Sequence, residues 1–103
     1  MFKLIILLTK KQAMSDDEFK RYLLEIHAPL AKKMPGIIRY VMNIVQRPPN
    51  REPDYHAVAE LWFDSREEMR KAFSSPQGEL TQKDTEKFTS KTVTLFIDEH
   101  EIN

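Results

Sequence analysis

The strongest constraint on the fold of this chain comes from two segments that share one helix-start pattern. Each of them follows an apolar run. An apolar run at residues 2–9 precedes Ser15 and Glu18, and a second apolar run precedes Ser65 and Glu68. A serine followed three residues later by a glutamate forms a capping box, in which each side chain accepts from a free backbone N–H at a helix start. The sequence therefore predicts two helices, each of which follows a strand.

The first helix is predicted to be amphipathic and to end early. Its apolar residues recur at spacings of three and four, as expected for a helix with one buried face: Phe19, Tyr22, Leu23, Ile26 and Leu30. Pro29 lacks a backbone N–H, so we expect the helix to kink or break near His27. Met34-Pro35-Gly36 then stops it.

The second helical region is predicted in two pieces. The first piece buries Met69, Ala72 and Phe73. Pro76 and Gly78 are expected to interrupt it. A short helix from Glu79 to Phe88 then packs through Leu80 and Phe88.

Three further strands are predicted at about residues 37–46, 55–63 and 92–99, and a proline-rich loop at residues 47–54 separates the first two. The resulting order, β-α-β-β-α-β, indicates one domain at residues 1–103 with an α+β, ferredoxin-like fold. Because crossovers are right-handed, both helices should lie on one face of a four-stranded antiparallel sheet.

The third strand predicts which side of the sheet the helices cover. One side is small or apolar and is expected beneath the helices: Ala57, Ala59, Leu61 and Phe63. The other side is mixed: His56, Val58, Glu60 and Trp62. We place Phe96 of the last strand on this second side, which would then expose a large apolar patch.

A second copy packed face to face would bury on the order of 1,500 Å² and close a barrel. The sequence therefore predicts a homodimer, as a dimeric α+β barrel. The alternative is a monomer in which residues 76–91 lie over the same side. The pocket is expected inside the barrel and between the sheet and the first helix, near His27.

The composition argues against several classes of partner. Lys plus Arg and Asp plus Glu both total 16, so no basic field favours nucleic acid or an anionic membrane. The absence of cysteine suits a reducing cytoplasm. Residues 2–9 are short, contain Lys3 and lack a cleavage motif, so a buried strand explains them better than a signal sequence.

Two segments resemble the EthD domain of the dimeric α+β barrel superfamily. The first runs from Ser15 to Tyr40, and its most specific motif is His27-Ala28-Pro29-Leu30 followed by Met34-Pro35-Gly36. The second is Ala59-Glu60-Leu61-Trp62-Phe63-Asp64-Ser65 with the helix after it. The resemblance covers nearly the whole chain and implies the same fold and a homodimer.

The resemblance also implies a catabolic role. EthD proteins are associated with bacterial degradation of unusual organic compounds, including ethers. A relative in the superfamily, methylmuconolactone methylisomerase, rearranges a small lactone, and the resemblance implies that His27 and Tyr40 are pocket residues. Nothing is carried over from the loop before the third strand, whose length differs, and this chain has no cysteine to match that enzyme's pocket.

Six residues are candidates for the site. The catalytic candidates are His27, Tyr40 and Glu60, and the substrate-binding candidates are His56, Trp62 and Phe96. An imidazole titrates near neutrality, and a carboxylate beside an aromatic ring in a partly dry cavity should have a raised pKa. The structural alternatives are a histidine that caps a helix end and aromatic side chains that only fill the core.

No cofactor or metal is expected. Only Asp98 and His100 could converge near the chain end, and two ligands make a poor metal site. The two glycines of the chain form no phosphate-binding loop, and residues 65–75 hold no histidine for haem.

The predicted function is therefore that of a cofactor-free enzyme with acid/base, isomerase-like chemistry on a small, largely apolar molecule. Two alternatives stay open, a non-catalytic binding or carrier protein and a cofactor-free monooxygenase.

Overall fold

The computed structural model describes residues 1–103 and contains one antiparallel sheet. Its four strands are β1 Phe2–Lys10, β2 Arg39–Ile44, β3 Ala57–Phe63 and β4 Thr89–Ile97. The order across the sheet is β2-β3-β1-β4, so β2 and β4 form the edges. The predicted α+β, ferredoxin-like architecture is confirmed.

A helical layer covers one face of this sheet. It consists of α1 Asp16–Tyr22, a π-helical segment Leu23–His27, α2 Ala28–Ala31, α3 Arg66–Ser74 and α4 Pro76–Phe88. Leu4 and Leu61 pack with Met69 in one core cluster, and Leu8 packs with Phe88 in a second. Because α4 lies on this face, the alternative in which residues 76–91 cover the other face is wrong. None of the helices is both long and apolar enough to cross a membrane.

Both predicted helix starts are confirmed. The Ser15 hydroxyl accepts from the Glu18 N–H at 3.1 Å, and the Glu18 carboxylate accepts from the Ser15 N–H at 2.9 Å, which completes the capping box. Ser65 caps α3 by accepting from the Glu68 N–H at 3.1 Å, but the Glu68 carboxylate does not return a bond to the Ser65 N–H, so the second capping box is only half formed. The sequence pattern therefore locates both starts to the residue.

Pro29 changes the type of helix instead of breaking it. The Ala28 N–H donates to the Leu23 carbonyl five residues earlier, which is the hydrogen bond of a π-helix. The wider turn directs Leu23 and His27 into the core, whereas Ile26 is 52% exposed. The predicted burial of Ile26 is wrong, because an apolar stripe of constant helical period cannot anticipate a π-helical turn.

The last helix begins earlier than predicted and buries a different face. Ser75 caps it by accepting from the Gly78 N–H, and Pro76 occupies the first turn, where a missing N–H costs nothing. A Cβ at Gly78 would lie 2.2 Å from the Ala72 carbonyl oxygen, so only glycine permits this close packing of α4 on α3. This contact turns Leu80 outward, and its predicted burial is wrong.

Backbone pairing fixes which residues occupy the uncovered face, because directly paired residues point to the same side. This open face carries three rows across the centre of the sheet: Lys3 with Trp62 and Ile97, Ile5 with Glu60 and Leu95, and Leu7 with Val58 and Val93. The open face is therefore largely apolar, with charged residues toward one end.

Phe96 lies on the helical side of the sheet. It pairs with the core residue Leu4, and its ring centroid is 5.7 Å from that of Phe2. The prediction that Phe96 shares a face with Trp62 is wrong, because the register of β4 puts its alternate aliphatic residues on the open face instead.

Candidate functional site

A cavity of about 770 Å³ lies between the helical layer and the sheet. Its floor is apolar and comes from the strands: Leu4, Ile6, Leu8, Met42, Ala59 and Leu61. Met34, Met69 and Phe73 add an apolar wall from the helical side. This volume falls within the range of sites for small organic molecules.

Apart from His27 and Tyr40, the polar part of the cavity lining comes from α4 and β4. It consists of Thr81, Gln82, Thr85, Glu86, Thr92 and Thr94, among others. Thr92, Thr94 and Phe96 are on the helical side yet exposed, so the helices leave this edge strand uncovered. The cavity opens along β4 and combines an apolar floor with a polar rim.

His27 enters this cavity from the π-helical segment. Its side chain is 7% exposed, and its Nδ1 atom lies 2.9 Å from the Oδ2 atom of Asp84 on α4. Its Nε2 atom has no hydrogen-bond partner in the chain. Every fully buried side-chain nitrogen or oxygen of the chain does have one, so Nε2 is not fully buried. The Nε2 atom is therefore reachable from the cavity that His27 lines.

Asp84 is held by further partners. Its Oδ1 atom accepts from the Tyr22 hydroxyl at 2.6 Å, and the Lys87 ammonium lies 3.9 Å from the same oxygen. Because Asp84 is only 7% exposed, these donors replace the water that a buried carboxylate loses. Asp84 thus joins α1, the π-helical segment and α4.

Burial determines the protonation of these groups. It lowers the pKa of His27 below its ordinary value of 6.5, while the hydrogen bond to Asp84 opposes the shift. Burial, and then the Asp84 contact, raises the pKa of Tyr22 to about 12. Near neutral pH, the imidazole is therefore largely uncharged and the phenol is protonated.

Tyr40 reaches the same cavity from β2. It pairs with Leu61, which places it on the helical side of the sheet. Burial raises the pKa of Tyr40 to about 12, and its hydroxyl has no hydrogen-bond partner in the chain. This hydroxyl is free to donate to a molecule in the cavity.

Glu60 and Trp62 lie on the open face, away from this cavity. The Glu60 carboxylate lies 2.9 Å from the Lys3 ammonium and accepts from the Asn43 amide at 2.8 Å. These contacts, that of Asn43 first, lower the pKa of Glu60, contrary to the predicted rise. Trp62 donates to Glu99 at 3.0 Å, with Lys3 4.5 Å from its ring centroid.

His56 lies neither in the cavity nor on the open face. It stands just before β3, where its Nδ1 accepts from the Lys10 N–H at 3.1 Å and its Nε2 lies 2.9 Å from Glu52. Its ring is 6.0 Å from that of Phe19 on the helical side. The predicted grouping of His56 with Glu60 and Trp62 on one face is therefore wrong, because the chain bends before the strand begins.

Of the six predicted site residues, the structure brings three to one cavity, namely His27, Tyr40 and Phe96. Sequence reasoning missed Asp84 and the hydrogen-bonding role of Tyr22. A pattern that could have revealed Asp84 is its spacing from Thr81 and Phe88, which puts a carboxylate on the buried stripe of α4. Sequence reasoning instead placed Leu80 with Phe88 on the buried side of α4 and so overlooked this stripe.

No group of three or more His, Cys, Asp or Glu side chains could hold a metal ion.

Comparison with known proteins identifies the family. The EthD domain profile matches residues 11–92. An uncharacterised 11.0 kDa protein from the thcB-thcC intergenic region of Rhodococcus erythropolis is 34% identical over 77 residues, which is 74% of this chain and 75% of that protein.

Similar solved structures support the fold. An ethyl tert-butyl ether d (EthD) family protein from Bacillus halodurans has a TM-score of 0.82 and 24% identity, over 97% of this chain and 100% of that one. A dimeric ferredoxin-like protein of unknown function from Bacteroides fragilis has a TM-score of 0.72 and 12% identity, over 94% of both chains. SnoaB, a cofactor-independent oxygenase from Streptomyces nogalater, has a TM-score of 0.68 and 14% identity, over 97% of this chain and 93% of that one.

At these identities the solved structures establish the fold alone, whereas the profile match spans most of the chain. The chain belongs to the EthD domain family.

Proposed function

We propose that this protein is a cofactor-free enzyme that moves a proton on a small, largely apolar organic molecule in the helix-side cavity. The observation that carries the proposal is that His27 and Tyr40, from different elements, line one apolar cavity. A base and a hydrogen-bond donor beside one bound molecule are the minimal equipment for proton abstraction next to a carbonyl group.

The proposed reaction needs no group beyond these side chains. The neutral His27 Nε2 takes a proton from carbon, and the electron pair of the broken C–H bond moves onto the carbonyl oxygen. Tyr40, protonated near neutral pH because burial raises its pKa to about 12, donates to that oxygen. When a carbon–carbon double bond lies β,γ to the carbonyl group, the pair is delocalised to the γ carbon, and return of the proton there gives the conjugated isomer.

The cavity lining favours an uncharged substrate. Its apolar floor suits a hydrocarbon skeleton, and Lys91, its one cationic lining residue besides the titratable His27, is exposed at the rim. Glu86 at the same rim disfavours anions. We therefore propose neutral ketones or lactones as substrates. The membership of the EthD family and the absence of cysteine support the further proposal that these compounds are handled in a degradation pathway in the cytoplasm.

We also propose that the protein is a homodimer that buries the open face. The aliphatic rows of that face, which include Val58, Leu95 and Ile97, form a contiguous apolar patch. Four charged groups lie at its end, namely Lys3, Glu60, Glu99 and Arg39, which pairs with Trp62. Their charges sum to zero, so burying them together costs less than burying unbalanced charges. The dimeric Bacteroides fragilis protein of the same fold supports this assembly.

The test uses two neutral carbon acids, β-tetralone and α-angelica lactone. Each is incubated with the protein in deuterium oxide, and proton NMR follows exchange at the carbons next to the carbonyl group. We expect exchange faster than in protein-free buffer for at least one probe. Exchange at the buffer rate, together with a raised melting temperature, would instead identify a binding or carrier protein.

A cofactor-free monooxygenase is the second candidate, favoured by the similarity in fold to SnoaB. The carbanion formed by the same base would reduce dioxygen, so that a methylene carbon becomes a carbonyl carbon and the second oxygen atom leaves as water. An oxygen electrode separates the two reactions, since only the oxygenase consumes dioxygen in proportion to product.

A further inference from the structure

Asp84 is the one carboxylate on the buried face of α4, and each of its oxygens has a hydrogen-bond partner on the helical segment that follows β1. Oδ2 lies 2.9 Å from His27 Nδ1, and Oδ1 accepts from the Tyr22 hydroxyl at 2.6 Å. The carboxylate is therefore held at both oxygens and cannot rotate without losing a bond.

This arrangement determines which imidazole nitrogen carries the proton. A carboxylate can only accept, so the nitrogen that faces it must donate. The hydrogen therefore resides on Nδ1, and the lone pair of the neutral ring resides on Nε2. Nε2 is the nitrogen that is reachable from the cavity.

Aromatic packing fixes the same geometry. The Phe88 ring centroid lies 4.7 Å from that of His27 and 5.1 Å from that of Tyr22. Phe88 is fully buried and lies one helical turn after Asp84 on α4. The rings therefore have little freedom to swing away from the carboxylate.

A buried carboxylate is a poor choice for stability alone. Replacing a buried charged group by a well-packed apolar residue is often neutral or stabilising, because burial removes the charge from water. A role in orienting His27 explains why α4 carries an aspartate at this position.

We propose that Asp84 is a positioning residue, which holds His27 in the Nδ1–H tautomer with Nε2 directed at the bound molecule. This inference rests on the proposed function in that His27 is the base. Asp84 itself is not among the residues that line the cavity.

The test measures the tautomer directly, by nitrogen NMR of His27 in the wild-type protein, D84A and D84N. We expect the Nδ1–H form to predominate in the wild type. In D84A the acceptor is absent, so the Nε2–H form should rise and the pKa of His27 should fall, because Asp84 opposes the lowering by burial. D84N retains the side-chain volume and is used if D84A does not fold. Its single acceptor oxygen cannot accept from both Tyr22 and His27, and when that oxygen faces Tyr22 the amide N–H donates to Nδ1 and favours the Nε2–H form.

Y22F is the matched control, since it removes a partner of Asp84 but leaves the acceptor for His27. We expect Y22F to keep the Nδ1–H tautomer. A wild-type protein in the Nε2–H form would overturn the proposal, as would a folded D84A with an unchanged tautomer and pKa. A Y22F variant that lost the tautomer as completely as D84A would also overturn it, because the effect would then follow from loosened helix packing.

Exchange on β-tetralone gives the functional readout. D84N should lower kcat by about 10²- to 10⁴-fold with little change in KM, because Asp84 does not contact the ligand. The tautomer measurement needs no substrate. The positioning role can therefore fail while His27 remains the base, and His27 can fail as the base while Asp84 still sets its tautomer.

Discussion

His27 Nδ1 lies 2.9 Å from Asp84 Oδ2, although the two residues are 57 positions apart in the chain. The bond joins the π-helical segment after β1 to the last helix and lies at the wall of the cavity. A connection between the first and last helical segments therefore also determines the chemistry of the imidazole.

The pKa of His27 should lie below its ordinary value of 6.5, because burial outweighs the effect of Asp84. A group with a folded-state pKa below its unfolded value stabilises the fold above the unfolded pKa, and this stability is lost as pH falls through the folded pKa. Below about pH 6.5 the wild type should thus lose stability more steeply than H27Q, as measured by urea unfolding. A steeper loss in H27Q would contradict the direction of the shift.

Y40F should remove a hydrogen bond to the substrate and little else. The Tyr40 hydroxyl has no partner in the chain, so the free energy of unfolding should change by less than about 0.5 kcal/mol. Loss of one donor to a developing oxyanion should lower kcat for β-tetralone exchange by about 10²-fold. Unchanged exchange in Y40F would remove Tyr40 from the proposed mechanism.

E60Q should affect stability but not exchange, because Glu60 lies on the opposite side of the sheet from the cavity. The hydrogen bond from Asn43 and the contact with Lys3 hold the pKa of Glu60 below 4.5. Its contribution is therefore present above pH 4.5 and is lost as pH falls through the folded value.

The stability difference between wild type and E60Q should accordingly be largest near neutral pH and should shrink in acid. E67Q is the control, since Glu67 forms only an exposed ion pair with Arg70. A large loss of exchange in E60Q would return Glu60 to the site.

L95D should dissociate the proposed homodimer. The homodimer would bury two carboxylates in the apolar open face. A total cost of at least about 3 kcal/mol corresponds to a rise of at least about a hundredfold in the dissociation constant. Analytical ultracentrifugation compares it with L80D, whose leucine is exposed on α4. Because the cavity lies within one chain, monomeric L95D should retain exchange, and a fully dimeric L95D would exclude the open face as the interface.

The local rules of the sequence predicted much of the fold. The serine caps at Ser15 and Ser65 begin helices where the pattern placed them, and the alternation of β3 correctly separates Ala59 and Leu61 from Trp62. These features depend on neighbours in sequence, so a single chain reveals them.

The features that the sequence did not predict depend on contacts between residues that are far apart in the chain. The π-helical turn moves His27 inward and Ile26 outward, and the close approach at Gly78 rotates α4 so that Asp84 replaces Leu80 on its buried face. The register of β4 against β1 separates Phe96 from Trp62. None of these can be read from local periodicity. The cavity itself lies between the sheet and the first helical segment near His27, where the sequence predicted a pocket.

The central claim is that His27 moves a proton on a molecule bound in the helix-side cavity. Its most direct test compares the rate of β-tetralone exchange in deuterium oxide for the wild type, H27A and H100A, in which the replaced His100 is exposed near the chain end. We predict that H27A lowers the rate by about two to four orders of magnitude, while H100A matches the wild type. A folded H27A that exchanges β-tetralone as fast as the wild type would contradict the account.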